Sequence, residues 1–143
     1  MKARVIFYRR GRSESGIITI AIGLVYLWFG TLKFFPGVSP AEGLALETVR
    51  ALTLDVFSDR LAIILLAFWE VSVGLFLIFN LFRKVTLYVA FLHILLTFTP
   101  FIFFPDMIFT QAPFGLTLVG QYIIKNLIIL GILVVLIKQL KDH

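Results

Sequence analysis

The chain has 143 residues, 60% of them hydrophobic and only 15% charged, with a formal net charge of +5 at pH 7 and a mean hydropathy of +1.03. Soluble domains run roughly 45–50% apolar and about 25% charged, so a water-soluble globule is excluded: too little polar surface exists to cover the apolar residues, sixteen of which are Phe. The positive charge does not point to nucleic acid, because Lys and Arg stand at the ends of apolar runs as membrane anchors do, and the absence of Cys removes disulfides, thiolate metal sites and thiol exchange together.

Met1 to Ser15 is polar and basic, with Lys2, Arg4, Arg9, Arg10 and Arg12. The first apolar run, about 17–35, follows it. A signal peptide also starts this way, but this run is longer than a typical h-region and ends in Lys33-Phe34-Phe35-Pro36, not at a small-residue cleavage site. It is expected to be a membrane span. Ser39-Pro40-Ala41-Glu42 then reads as a capping box, with Ser at the N-cap, Pro at the first helical position and Glu at the third. The helix it opens, about 40–56, is amphipathic: Ala45, Val49, Leu52 and Val56 share one stripe, and Glu42, Glu47 and Arg50 lie off it. Such a helix either lids a bundle or lies flat in the membrane interface.

Runs at about 61–82, 85–104 and 116–137 complete a set of four. Each is long enough, at 1.5 Å per residue, to cross a hydrocarbon core of about 30 Å. Unbroken apolar runs of this length are helices, since strands of a membrane barrel are shorter and alternate. Pro100 is expected to kink the third span near its end. The segment 105–115, with Pro105, Asp106 and Pro113, is expected to be irregular. The expected fold is all-α: a single-domain four-helix transmembrane bundle over residues 1–143 with an amphipathic helix in the first long loop.

Charge sets an expected orientation. The N-terminal segment, the Arg83-Lys84 turn and the tail with Lys138 and Lys141 hold nine Lys and Arg residues between them, whereas the loops on the other side hold Arg50 and Arg60. By the positive-inside rule both termini are cytoplasmic.

Charged residues within a span are costly and are functional candidates by default. One small or polar face runs down each span at helical spacing: Gly23, Tyr26, Gly30 and Lys33; Ala67, Glu70 and Gly74; Thr86, Ala90, His93 and Thr97; Thr117, Gln121 and Lys125. Small and polar residues belong at helix–helix contacts, so the four faces are expected to point at one another. Glu70, His93 and Lys125 start roughly 13–17 Å below the outer end of their spans, near mid-membrane. Glu70 is too short to reach an interface, and must be paired, hydrogen-bonded or protonated. Lys33 either snorkels to headgroups or leans toward Glu70, since its Cα–Cβ bond tilts toward the N-terminus. His93 has no second His or Cys in any span beside it, so it reads as a hydrogen-bonded core residue and no metal site is expected. Trp28, Trp69 and the tyrosines read as packing or interface anchors. If neither lysine snorkels, two lysines against one glutamate leave the interior net positive, and it is then expected to favour an anion or an electron-rich oxygen: a quinone carbonyl, a lipid phosphate or a small oxyanion. No phosphate loop, dinucleotide fingerprint, zinc-protease motif or nucleophile elbow is present.

Two stretches carry a family resemblance. Residues 27–42 read Leu-Trp-Phe-Gly-Thr-Leu-Lys-Phe-Phe-Pro-Gly-Val-Ser-Pro-Ala-Glu, and residues 120–127 read Gly-Gln-Tyr-Ile-Ile-Lys-Asn-Leu. With Glu70 and Thr97-Phe98-Thr99-Pro100, they resemble the DoxX-like family of small bacterial membrane proteins, over most of the chain from about Ile17 to Ile137. The resemblance implies a four-helix bundle in the bacterial inner membrane. It also implies a redox or stress association, since relatives include a subunit of a thiosulfate:quinone oxidoreductase and proteins tied to oxidative or reactive-chlorine resistance. Relatives that work through cysteines are a poor guide to a chain without any.

These readings give three functional expectations. The first is a redox-associated membrane protein holding a quinone-like, lipid or oxyanion ligand between the helices. Glu70 and His93 would be its proton-carrying catalytic candidates, and Lys33, Gln121, Lys125 and Asn126 its ligand contacts. It would have no covalently bound cofactor, with a quinone as the diffusible one, and any enzyme would be a subunit of a quinone-linked oxidoreductase. Its partners would be the bilayer, a redox partner protein or further copies of itself. The second is a non-enzymatic assembly or accessory subunit whose buried ion pairs fix helix register. The third is a small transporter.

Overall fold

The computed structural model describes the backbone of residues 2–141 and the side chains of residues 15–141. The basic side chains of Lys2, Arg4, Arg9, Arg10 and Arg12, on which the expected orientation leans, lie outside the described residues. In chain order the elements are α1 (Lys2–Leu32), α2 (Glu42–Thr53), α3 (Asp59–Ile78), α4 (Arg83–Leu96), α5 (Pro100–Phe103), α6 (Pro105–Ile108), β1 (Phe109–Gln111), β2 (Gly115–Leu116) and α7 (Leu118–Lys141). Four segments are long and apolar enough to cross a membrane: Ser15–Leu32, Asp59–Ile78, Arg83–Phe103 and Leu118–Lys141. The fold is the expected all-α four-helix bundle of a multi-pass membrane protein. The broad apolar exterior, from Trp28 and Phe68 to Leu118 and Ile128, is what lipid requires and water would not tolerate.

The tightest helix pair is α1 with α3. A methyl group added to Gly74 would stand 2.7 Å from the backbone nitrogen of Leu27, and one on Gly30 would stand 2.8 Å from Cβ of Glu70. Backbone meets backbone there, and only glycine permits it. Helix α4 packs on both α3 and α7, whereas α1 and α7 touch only lightly. They are joined near the chain termini by Ser15 Oγ, which donates to Gln139 Oε1 at 2.7 Å.

The bundle is packed unevenly along its length. The half nearer the termini is solid: Ile22 and Tyr26 of α1, Val73 and Leu77 of α3, Leu87 and Ala90 of α4, and Leu133 and Leu136 of α7 form one buried cluster. At the opposite end a smaller cluster joins Leu44 of α2, Ile108 and Ile123. We call this the capped end.

Three details differ from expectation at that end. The capping box does not form: the N-cap of α2 is Ala41, with no side-chain cap bond. Ser39 is buried instead, and the Glu42 carboxylate turns back to accept from the Gly37 N–H at 2.8 Å, which the left-handed backbone at Gly37 (φ 75°) aims at it. The segment after the third span is ordered, not irregular. Pro105 at the first helical position with Asp106 beside it starts α6, and β1 and β2 close an antiparallel hairpin that tucks Ile108 fully out of solvent. Pro100 does interrupt the third span as expected, opening the separate turn of α5.

Candidate functional site

Between the two clusters the bundle is hollow. A cavity of about 510 Å³ is lined by α1, α2, α3, α4 and α7, within the roughly 300–1,000 Å³ typical of small-molecule sites. Helix α2 forms its roof: Leu44, Ala45, Thr48, Val49, Leu52 and Thr53 all line it. The amphipathic helix therefore lids the bundle. Its outer face is tied down by Arg50, whose guanidinium bonds the Asp59 carboxylate at the start of α3 and lies 3.1 Å from Glu47 and 3.6 Å from Asp55. The hydrogen bond to Asp59, followed by the charges of these carboxylates, holds the Arg50 guanidinium above its ordinary pKa.

Most of the cavity wall is apolar, but one side carries a continuous polar chain. Lys33 lies in the turn just past α1, and its side chain runs back along that helix. Its Nζ donates to Glu70 Oε2 at 2.6 Å and reaches the Phe29 carbonyl at 3.4 Å. Pairing wins over snorkelling: the Lys33 and Glu70 side chains are only 9% and 11% exposed. The second Glu70 oxygen, Oε1, is 3.6 Å from His93 Nε2. The other ring nitrogen, Nδ1, is 3.1 Å from the Tyr26 hydroxyl, which donates to the Ala90 carbonyl at 3.1 Å. Beside this chain Asn126 Nδ2 donates to Thr97 Oγ1 at 3.0 Å, and both residues line the cavity. Among the described residues no buried side-chain nitrogen or oxygen is left without a partner, which is the condition for carrying polar groups in an apolar interior.

Hydrogen-bond polarity along the chain has a consequence. Tyr26 has one proton to give. While it goes to Ala90, His93 Nδ1 is the donor to the Tyr26 oxygen. His93 Nε2 then presents a lone pair toward Glu70 Oε1, 3.6 Å away and beyond hydrogen-bond length. If the Tyr26 proton turns to His93, Nε2 carries the hydrogen toward Glu70 instead. The tautomer of His93 is thus tied to the direction in which the Tyr26 hydroxyl points.

Of the sequence-predicted residues, the fold brings together Lys33, Glu70, His93 and Asn126 around the cavity. It does not bring in Gln121 and Lys125. Both are exposed on the outside of α7, and Lys125 Nζ lies 5.5 Å from the ring centroid of Tyr122, one turn toward the capped end. Thr117 is not on an interior face either: it caps α7, its Oγ1 accepting from the Gly120 N–H at 3.0 Å. The inward face of α7 is apolar, with Gly120, Ile123, Leu133, Leu136 and Ile137 buried. Three of the four polar faces converge, whereas Gln121 and Lys125 of the expected fourth lie on the outside of α7. Lys125 starts about 10 Å along α7 from the capped end, close enough for its long stem to reach back toward the interface. Without it the interior is one cation against one carboxylate, not net positive. Tyr26 was read as packing; the signal for more was its place on the same stripe as Gly23, Gly30 and Lys33.

No protein-family model, curated protein or solved structure matches the chain.

Proposed function

We propose that this protein is a multi-pass protein of the bacterial inner membrane, of DoxX-like type, that binds a neutral quinone-like ligand in the cavity under α2. The observation that carries this reading is the polar chain Lys33–Glu70–His93–Tyr26 on one wall of an otherwise apolar cavity. The paired Lys33 and Glu70 cancel in charge, which favours a neutral head over an oxyanion or phosphate. A carbonyl oxygen entering there meets donors: the remaining Lys33 N–H and the second Asn126 N–H. A quinone takes up protons when it is reduced, and Glu70 and His93, the titratable groups on that wall, are the candidates to relay them. Electrons would come from a redox partner protein, making this chain a subunit of a quinone-linked oxidoreductase. In this reading both termini face the cytoplasm and α2 the outside, supported by the nine basic residues gathered on the terminal side.

Mass spectrometry of the protein purified in mild detergent tests this. A quinone-class molecule is expected to co-purify with the wild type and to be lost from a folded Glu70→Gln variant. A second reading, an accessory subunit with a purely structural ion pair, draws on one feature: Lys33–Glu70 joins the two most closely packed helices. It predicts no co-purifying ligand, no binding of added quinone, and a loss of stability alone in the same variant.

A further inference from the structure

A second hollow lies on the outside of the bundle, between α3 and α4. It is an apolar furrow of about 480 Å³. Its floor is formed by Val73 and Thr86, 4% and 3% exposed. Its walls include Phe68 and Ser72 on α3 and Val85 and Val89 on α4. Its far end is stopped by Phe76 and Phe82, whose rings meet edge to face at 6.0 Å. Leu65 and Trp69 line its near end, and Trp69 is also a wall of the ligand cavity. The two hollows therefore share a wall residue, one polar-sided inside the bundle and one apolar along its flank. From Leu65 to Phe76 the furrow runs roughly 16 Å along α3, about 10 Å of it beyond Trp69.

We propose that this furrow holds the aliphatic tail of the ligand whose head occupies the cavity, so that the substrate class is a tailed, prenylated or alkylated quinone entering sideways from the bilayer past Trp69. The inference rests on the function proposed above. The shared wall at Trp69 sets the two hollows side by side, within reach of one molecule. The closed far end argues for a bounded tail site, because the flank of a helix pair that merely faces lipid needs no end stop. In lipid a tail gains little from leaving other hydrocarbon, so the gain comes from close packing against the furrow, and packing ends where the furrow ends.

Trp28 and Trp69 are the only two tryptophans, and Trp28 is 69% exposed on the face of α1 away from Tyr26. A Trp28→Phe background thus leaves Trp69 as the sole indole. Its quenching by added quinone in nanodiscs, at known mole fraction in the lipid, reads occupancy. A decyl-tailed benzoquinone is expected to bind on the order of tenfold more tightly than the same head without a tail, with no further gain from longer tails. Ser72→Phe and Val85→Phe each plug the furrow and are expected to bring the tailed ligand down to tailless affinity, leaving the tailless head unaffected. Two plugs at separate points guard against one variant misfolding. If the tailless head binds but tails add nothing, if affinity keeps rising with tail length, or if a diacyl phospholipid displaces the tailed quinone equally well, the tail site is overturned while the head site stands. If neither quinone binds, both proposals fall.

Discussion

The ion pair between α1 and α3 makes the sharpest quantitative demand on the structure. Replacing Lys33 by Met removes the only full cation paired with Glu70 among the described residues and leaves its carboxylate facing the His93 ring at 3.6 Å. Glu70 sits in α3 and is only 11% exposed at its side chain. Removing one partner of a buried pair typically costs about 3–5 kcal/mol, and Lys33→Met belongs in that range. The reverse change is milder. In Glu70→Gln the ammonium of Lys33 keeps its contact with the Phe29 carbonyl and stands near the end of its span, so its stem can carry it outward; a loss of about 1–3 kcal/mol is expected, that of one charged hydrogen bond. The double variant removes the stranded charge and is expected to be more stable than Lys33→Met alone, with a coupling energy of at least about 2 kcal/mol. Unfolding free energies in mixed micelles, assembled into a double-mutant cycle, measure this. The competing value is that of a neutral interhelical hydrogen bond in a membrane protein, about 0.6 kcal/mol on average. If both single variants lose less than about 1 kcal/mol and their effects add, the pair is not the buried, charged contact described above.

Two further predictions follow from the helix faces. Gly74→Ala places a methyl against the backbone of Leu27 at 2.7 Å and is expected to cost about 1–3 kcal/mol, whereas Gly131→Ala, with nothing within 4 Å, is expected to be neutral or mildly stabilising; thermal unfolding followed by tryptophan fluorescence compares them, and equal effects would refute the close α1–α3 packing. Lys125→Glu is expected to leave quinone affinity within about twofold, since Lys125 stands outside the cavity, while Asn126→Leu forfeits the bond to Thr97 and part of the polar wall and is expected to lower affinity roughly tenfold; quenching titrations on both variants decide it, and the opposite ranking would place the polar face of α7 inside the bundle after all.

The four spans were legible because apolar length is a direct readout of membrane thickness, and their bounds moved by only a few residues. The inward faces of α1, α3 and α4 were legible too, because each carries small residues interleaved with polar ones, and close backbone approach and polar burial demand the same stripe. In α7 the two signals separate. Its small residue Gly120 lies on the apolar face with Ile123 and Leu133, whereas Gln121 and Lys125 point outward. A polar stripe within one turn or two of a span's end is ambiguous in sequence, since both an interior site and the headgroups can satisfy it. The roof was half legible: the stripe of α2 named Ala45, Val49 and Leu52 among the lining residues, but only packing shows that Leu44 and Thr48, rather than Val56, are its buried anchors. The hydrogen bonds of Tyr26 depend on which carbonyl and which ring nitrogen fall within 3.1 Å of its hydroxyl, and no residue spacing states that.

The unequal packing of the two halves gives the bundle a mechanical division that bears on function. Leu87, Ala90, Leu133 and Leu136, none more than 2% exposed, weld α4 and α7 to the rest near the termini, and Gly23 with Gly74 locks α1 on α3 in the same half. Packed interiors of this density do not deform continuously. The capped half has no such core: its helices are spaced by a cavity, its roof is a separate short helix, and that roof is held from outside by the Arg50 cluster, whose side chains are between 35% and 74% exposed. Exposed pairs of this kind contribute little each and are weakened by salt. In the proposed reading, the motion that admits a ligand past Trp69 belongs to the capped half. There α2 can yield, while Glu70, His93 and Tyr26 stand where the solid half begins.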